Sequence, residues 1–193
     1  ANMEVDRNFL HQANVGSERI SDDDIDRVRS IAAGYRWQEA SRVEVDFLSA
    51  AELENLSIRV GTLTQQERQT INYHVSATIR MLEQLPWPKH LKNVPEYAGG
   101  HHERMDGKGY PRGLKREQMS WQARMMGIAD IFEALTARDR PYKPGMTLSQ
   151  ALDILDKFRQ NGHIDPDLHD VFIGSQIYRK YAAEFLDAKQ VDC

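Results

Sequence analysis

The chain has 193 residues, 40% of them hydrophobic and 28% charged, with a net charge of −4. These values suit one soluble globular domain, or a domain with an extension, and the acidic balance excludes general nucleic-acid binding, a duplex included. The one cysteine, Cys193, rules out an intrachain disulfide framework and a zinc site built on several cysteines. No run of about 18 apolar residues suggests a membrane span, and the opening ANMEVDRNFL does not read as a signal peptide. A reducing, cytoplasmic setting fits this pattern.

In chain order, the first clear element is SDDDIDRVRSIAAGY. Ser21 reads as an N-cap, acids fill the first turn, Ile25, Val28, Ile31 and Ala32 share one face, and Gly34 is placed to close the helix. TQQERQTINYHVSATIRMLEQL opens on Thr64 and Glu67, a capping box, carries the stripe Ile71, Val75, Ile79 and Leu82, and ends at Pro86 and Pro88. SWQARMMGIADIFEALTAR spaces Trp121, Met125, Ile128, Phe132 and Leu135 as a helical stripe. TLSQALDILDKFRQNG has a second capping box, Thr147 with Gln150, and a terminal Gly162. DPDLHDVFIGSQIYRKYAAEFL starts on Asp165 as cap with Pro166 in the first helical position. No internal repeat and no convincing alternating strand appears. The expectation is an all-α helical bundle. Residues 1–57 read as an N-terminal extension or inserted helical segment, 58–186 as the main domain and 187–193 as a tail.

The chemistry centres on HHERMDGKGYPRGL, His101 to Leu114. Around it Arg104, Lys108, Arg112, Lys115 and Arg116 outnumber Glu103 and Asp106, and Arg138, Arg140 and Lys143 outnumber Asp139. A local basic field in an acidic chain suits a small polyanion, although a solvated loop with surplus cations is the plainer reading. Four side chains are candidates to converge on a metal: His74, His101, His102 and Asp130. Asp130 lies in a helix beside Ala123, Gly127 and Ala134, small residues that let another backbone come close. A carboxylate in such a stripe needs a partner or a metal. Imidazole and carboxylate together suit zinc, manganese or iron. A single helical histidine is more often an ordinary core or surface residue, and adjacent histidines reach one site only at a helix end or turn. Gly99-Gly100 before the pair and Asp106-Gly107 after it supply such a break.

HHERMDGKGYP closely resembles the second signature of HD-GYP domains, a branch of the HD metal-dependent phosphohydrolases. GTLTQQERQTINYHV (Gly61–Val75) is similar to the preceding block of that family. ADIFEALTARDRPYK (Ala129–Lys143) is similar to the next, and HIDPDLHDVF (His163–Phe172) to the closing one. The likeness runs in order from about Leu56 to Leu186. The resemblance implies an α-helical domain holding two or three metal ions, often iron or manganese. It also implies hydrolysis of a cyclic dinucleotide, chiefly cyclic di-GMP, in bacterial second-messenger signalling. By position, His74, His101, His102 and Asp130 correspond to metal ligands, and Arg140 and Lys143 to cations that hold substrate phosphate. Asp106, Gly107, Gly109, Tyr110 and Pro111 form the loop that shapes the pocket and is linked to partners such as diguanylate cyclase domains. Tyr110 is placed either to stack on a base or to pack.

The sequence departs from the family in one large respect. The family's upstream His, its His-Asp pair and the lysine after it are absent here, so the catalytic lysine has no counterpart. His11 is the only histidine before His74, and His169-Asp170 falls where the family has no ligands and reads as an ordinary surface pair. Arg140 also follows Asp130 one position later than the family pattern. FLHQANVGSERISDDDIDRVRSIAAGYRW is similar to a segment inserted between the two halves in some long relatives. One reading is the C-terminal half of the domain, with the rest upstream. The other is a degenerate module that binds a nucleotide or partner without hydrolysis. A purely structural helical module is the third class. On the first reading the chain by itself is inactive and binds metal weakly, and an oligomer is compatible with the sequence.

Overall fold

The computed structural model describes residues 2–15, 20–38, 44–138 and 145–193. The chain divides into two compact units, Ala1–Ile71 and Asn72–Cys193. Among the described residues its architecture is all-α, as expected, apart from one small ribbon.

The first unit contains α1 (Met3–Val15), α2 (Asp22–Gly34) and α3 (Ala50–Leu56). Between α2 and α3 lies an antiparallel pair, β1 (Arg36–Gln38) and β2 (Glu44–Asp46), with Trp37 opposite Val45. The α2 N-terminus forms as the sequence predicts: the Ser21 hydroxyl accepts from the Asp24 amide at 3.1 Å, and Ile25, Val28 and Ile31 are buried. The ribbon is not foreseen. Each strand has three residues and neither buries one, so no period-two pattern exists to read. In α3 Ser49 and Glu52 form a further capping box. Helix α4 (Gln65–Glu83) begins here, where the Thr64 amide donates to the Glu67 carboxylate at 2.9 Å and the Glu67 amide donates back to Thr64 Oγ1 at 3.2 Å.

The second unit holds the rest of α4 and α5 (Val94–Gly99), α6 (Trp121–Thr136), α7 (Leu148–Gln160), α8 (Pro166–Gly174) and α9 (Ile177–Phe185). Its core joins Ile128 and Phe132 of α6 to Leu148, Ala151 and Leu155 of α7, Leu168 of α8, and Tyr178 and Ala182 of α9. The Phe132 ring meets Phe172 at 5.3 Å and Tyr181 at 5.5 Å, both edge-on. Each fully buried large side chain contributes about 1.5–3 kcal/mol, so this cluster is a large source of the unit's stability. Asp165 is fully buried and caps α8, accepting from the amides of Asp167 and Leu168. The single helix suggested after Asp165 is in fact two. Gln176 adopts a left-handed conformation (φ 54°) between α8 and α9, and the change of direction lets Leu168 and Tyr178 face one core.

The stripe read along α6 is only half correct. Ile128 and Phe132 are buried, but Trp121 and Met125 are 53% and 51% exposed. The buried residue in the first half of α6 is Ala123, because the Gly100 backbone lies over it. A Cβ on Gly100 would stand 2.7 Å from that of Ala123. Ile71, the first residue of the α4 stripe, is likewise half exposed, while Val75 and Ile79 are buried. Among the described residues no helix is long and apolar enough to cross a membrane.

Candidate metal centre

Three helical elements bring the histidines together. His74 projects from α4 one position before the buried Val75. His101 and His102 follow α5 directly, where Gly99 lies against Ile79 of α4 and Gly100 against Ala123 of α6. Gly127 of α6 completes the approach: a Cβ there would lie 3.1 Å from the His101 carbonyl oxygen. The small residues around Asp130 thus allow one close backbone passage, and that passage sets both histidines. Their rings lie 4.2 Å apart, and His74 stands 5.2 Å from His102 and 6.3 Å from His101. One ligand atom from each of the three falls within 4.8 Å of the other two.

Hydrogen bonding prepares this set for a cation. His101 Nδ1 lies 2.5 Å from the Ala98 carbonyl oxygen, which can only accept, so Nδ1 carries a hydrogen and in the neutral ring the lone pair is on Nε2. Burial first, then the neighbouring His101 and His74, lowers the His102 pKa, with Asp130 opposing. His102 is therefore neutral and able to ligate at neutral pH. Its face stacks on Tyr110 at 4.8 Å with 17° between the planes. Three imidazoles suit a divalent first-row transition metal, so the residues present fit such an ion. Tyr110 uses one face against a histidine. Its pKa is raised by burial and by the charge of Asp130.

Asp130 is placed differently from the expectation. It is exposed on α6 and lies outside the three-histidine group, so burial does not force a partner on it. It stands two residues from the buried Ile128, a turn of about 200° on a helix, and three from Gly127, on the side of His101. With His101 it lines an apolar cavity of about 740 Å³, whose other walls include Met125, Phe132, Val171 and Tyr181.

The loop after the histidines is tied from within. Glu103, 4% exposed, accepts from the amides of Arg112 at 2.7 Å and Leu114 at 2.8 Å. This acid was not singled out from the sequence, where it reads as one more charge beside the histidines. Asp106 accepts from Arg104 at 3.0 and 2.8 Å and from the Lys108 amide at 3.0 Å. The Tyr110 amide donates to the His102 carbonyl at 3.2 Å, and the Tyr110–Pro111 peptide is cis. Gly107 needs its freedom at φ 77°. The hydrogen bonds from Arg104 above all, with Lys108 adding and burial opposing, hold the Asp106 pKa down at about 2. A folded value below the unfolded one, about 3.9, stabilises the loop above that pH, and the contribution is lost as pH falls through about 2. Carboxylate NMR titration is expected to find this midpoint. An ordinary value in the intact protein would show that the Arg104 pair does not form.

The HD domain family pattern matches residues 50–168. The chain is 35% identical over 133 residues to 3'3'-cGAMP-specific phosphodiesterase 1 of Vibrio cholerae, covering 68% of this chain and 30% of that protein. It is 38% identical over 113 residues to a cyclic di-GMP phosphodiesterase of Pseudomonas aeruginosa, covering 58% and 26%. A probable cyclic di-GMP phosphodiesterase of Vibrio cholerae matches at 36% over 140 residues, covering 69% and 31%. The chain belongs to the HD domain family, in its HD-GYP branch. It spans less than a third of the length of these relatives.

Within the HD-GYP assignment, the remaining predicted positions fall as follows. Arg140 and Lys143 lie outside the described residues. His169-Asp170 is not a surface pair. His169 is 5% exposed because α8 turns it inward with Leu168. Asp170 points outward to Arg159 at 3.0 Å. His169 takes no part in the three-histidine group.

Proposed function

We propose that this HD-GYP chain is part of a metal-dependent phosphodiesterase acting on cyclic di-GMP or a related cyclic dinucleotide in cytoplasmic bacterial signalling. The observation that carries the reading is the three-histidine cluster backed by the Gly-Tyr-Pro loop, with Tyr110 stacked on His102. The relatives at 35–38% identity, named as cyclic-dinucleotide phosphodiesterases, supply the substrate class.

In this reading His74, His101, His102 and Asp130 would hold a divalent iron or manganese ion, which when bound would supply Lewis-acid activation of water and phosphate. The chain's own residues do the rest. His101, pinned by Ala98, keeps Nε2 directed to the site, and Tyr110 holds the plane of His102. Arg140 and Lys143, by the family resemblance, hold substrate phosphate, an arginine being suited to a bidentate fork and a lysine to a point charge. Tyr110 borders the bound nucleotide as it borders His102. Asp106, Gly107, Gly109 and Pro111 shape the wall of that pocket.

Three imidazoles and one exposed carboxylate are few ligands for a cage of two or more ions. We therefore read this chain as part of the active unit, inactive by itself. The same shortage supports a second reading, a non-catalytic module that binds a nucleotide or a partner such as a diguanylate cyclase domain through the loop.

Elemental analysis of the purified chain tests both. Weak, substoichiometric transition metal that disappears in His101→Ala is the expected result. Two or more tightly held ions, or efficient hydrolysis of cyclic di-GMP by this chain alone, would overturn the part-unit reading. Metal content unchanged in His101→Ala would overturn the site.

A further inference from the structure

Glu103 joins the histidine pair to the far end of the loop that follows it. Its backbone amide donates to the Gly100 carbonyl at 3.1 Å, on the stretch that lies against Ala123. Its carboxylate reaches forward along the chain. Oε1 accepts from the Arg112 amide at 2.7 Å and Oε2 from the Leu114 amide at 2.8 Å. Between the two donors Gly113 turns left-handed, at φ 64°, so that both amides converge on one anion. Glu103 is 4% exposed, and among the described residues no Arg or Lys side chain pairs with it. A carboxylate buried this deeply is tolerated because backbone amides take both of its oxygens.

The loop closed by this clasp carries Tyr110. The Tyr110 amide donates to the His102 carbonyl at 3.2 Å, and its ring lies on the His102 face at 4.8 Å. Gly109 passes so close that a Cβ there would stand 2.5 Å from the Glu103 Cα. The loop thus folds back over His102 and Glu103, and its return strand is fastened to the Glu103 carboxylate. The base of the loop has a tie of its own, from the Arg116 amide to the Met105 carbonyl at 3.4 Å. Removing the carboxylate therefore releases Tyr110 to Leu114 and leaves the base closed.

We propose that Glu103 is a positioning residue for His102: by clasping the Arg112 and Leu114 amides it holds Tyr110 against the imidazole and so fixes the ring plane of a metal ligand. This rests on the ligand role given to His102 above. Glu103 acts through Tyr110, since its own oxygens are taken up by the two amides.

The test uses Glu103→Gln, which keeps the size of the side chain but turns an NH2 group toward one of the amides. Glu103→Asp, one methylene shorter, is made beside it and cannot span both. In the metal-free chain the His102 ring protons are followed by NMR, because a stacked tyrosine shifts them upfield. Tyr110→Leu defines their unstacked position, and both Glu103 variants are expected to move toward it. Manganese is then titrated with the free ion read by EPR. Affinity should fall about tenfold, the lower end for losing a group that orients a ligand. In a Tyr110→Leu background Glu103→Gln should cause no further loss, since the group it positions is gone. An equal loss in both backgrounds overturns the proposal, and so does a moved His102 signal with unchanged affinity. Failure of both Glu103 variants to fold overturns it too, because the role is then structural. A His102 signal that stays in place, beside a clear affinity loss in His102→Ala, overturns this inference alone and leaves the ligand role standing. Unchanged affinity in His102→Ala removes the ligand role and this inference with it.

Discussion

Replacing Asp165 by alanine is expected to cost about 3–5 kcal/mol, the scale for breaking a buried ion pair from one side. Asp165 is fully buried and accepts from Arg116 at 2.9 and 3.3 Å and from Arg124, whose side chain is only 9% exposed. It also caps α8 through the amides of Asp167 at 2.9 Å and Leu168 at 3.2 Å. Burial pushes its pKa up, but the Leu168 amide and the two guanidinium groups outweigh it, and the carboxylate ionises below its ordinary value. Alanine leaves Arg124 a largely buried cation with no carboxylate beside it, held by the Ser120 carbonyl at 3.3 Å and the Trp121 ring. Arg116 keeps Asp167 and suffers less. Asparagine separates the two roles, because it still caps the helix but carries no charge. It should recover about 1 kcal/mol of the loss. Thermal unfolding is the measurement. A drop of roughly 10 °C or more is expected for alanine, smaller for asparagine. A shift of only a degree or two would show that Asp165 is not the ionic centre of this unit.

The second large effect is expected at Gly109. A Cβ there would stand 2.4 Å from the Arg104 amide nitrogen and 2.5 Å from the Glu103 Cα. These are backbone atoms, which cannot swing aside as a side chain does. Gly109→Ala must therefore displace the loop, at about 1–3 kcal/mol for overpacking of this kind. The displacement acts on the site through Tyr110, whose amide donates to the His102 carbonyl and whose ring lies on the His102 face. Metal affinity should fall roughly tenfold, the lower end for losing a group that orients a ligand. A competitive metal titration reads this directly. Gly113→Ala is the control: alanine strains the loop there through its positive φ of 64°, which Gly109 lacks, while a Cβ would meet only the Gly107 carbonyl, at 3.2 Å. If the two variants lose metal affinity equally, general loop strain is the cause and the Tyr110–His102 stack is not.

Local signals in the sequence were sound where the physics is local. The caps at Ser21, Thr64, Thr147 and Asp165 each depend on side chains within three residues of the helix start, and each formed as read. The Gly99-Gly100 break and the small residues of α6 were legible for the same reason: only small residues permit backbones to close on one another. The sequence by itself thus determined an all-α chain and its main helix starts, and put forward His74, His101, His102 and Asp130 as candidates for one site.

What lay beyond it was any property set by a distant surface. Trp121 and Met125 continue the periodicity of Ile128 and Phe132 but face water, because the surface opposite that half of α6 is a glycine backbone that fits only Ala123. His169 looked like a surface residue until the orientation of α8 turned it inward. Glu103 and Gln190 look like ordinary polar residues. Their weight comes from backbone groups that the fold delivers from 9 and 54 positions away. Periodicity reports which residues share a face. Tertiary structure alone decides what that face meets, since burial and hydrogen bonding belong to pairs of surfaces and not to either one.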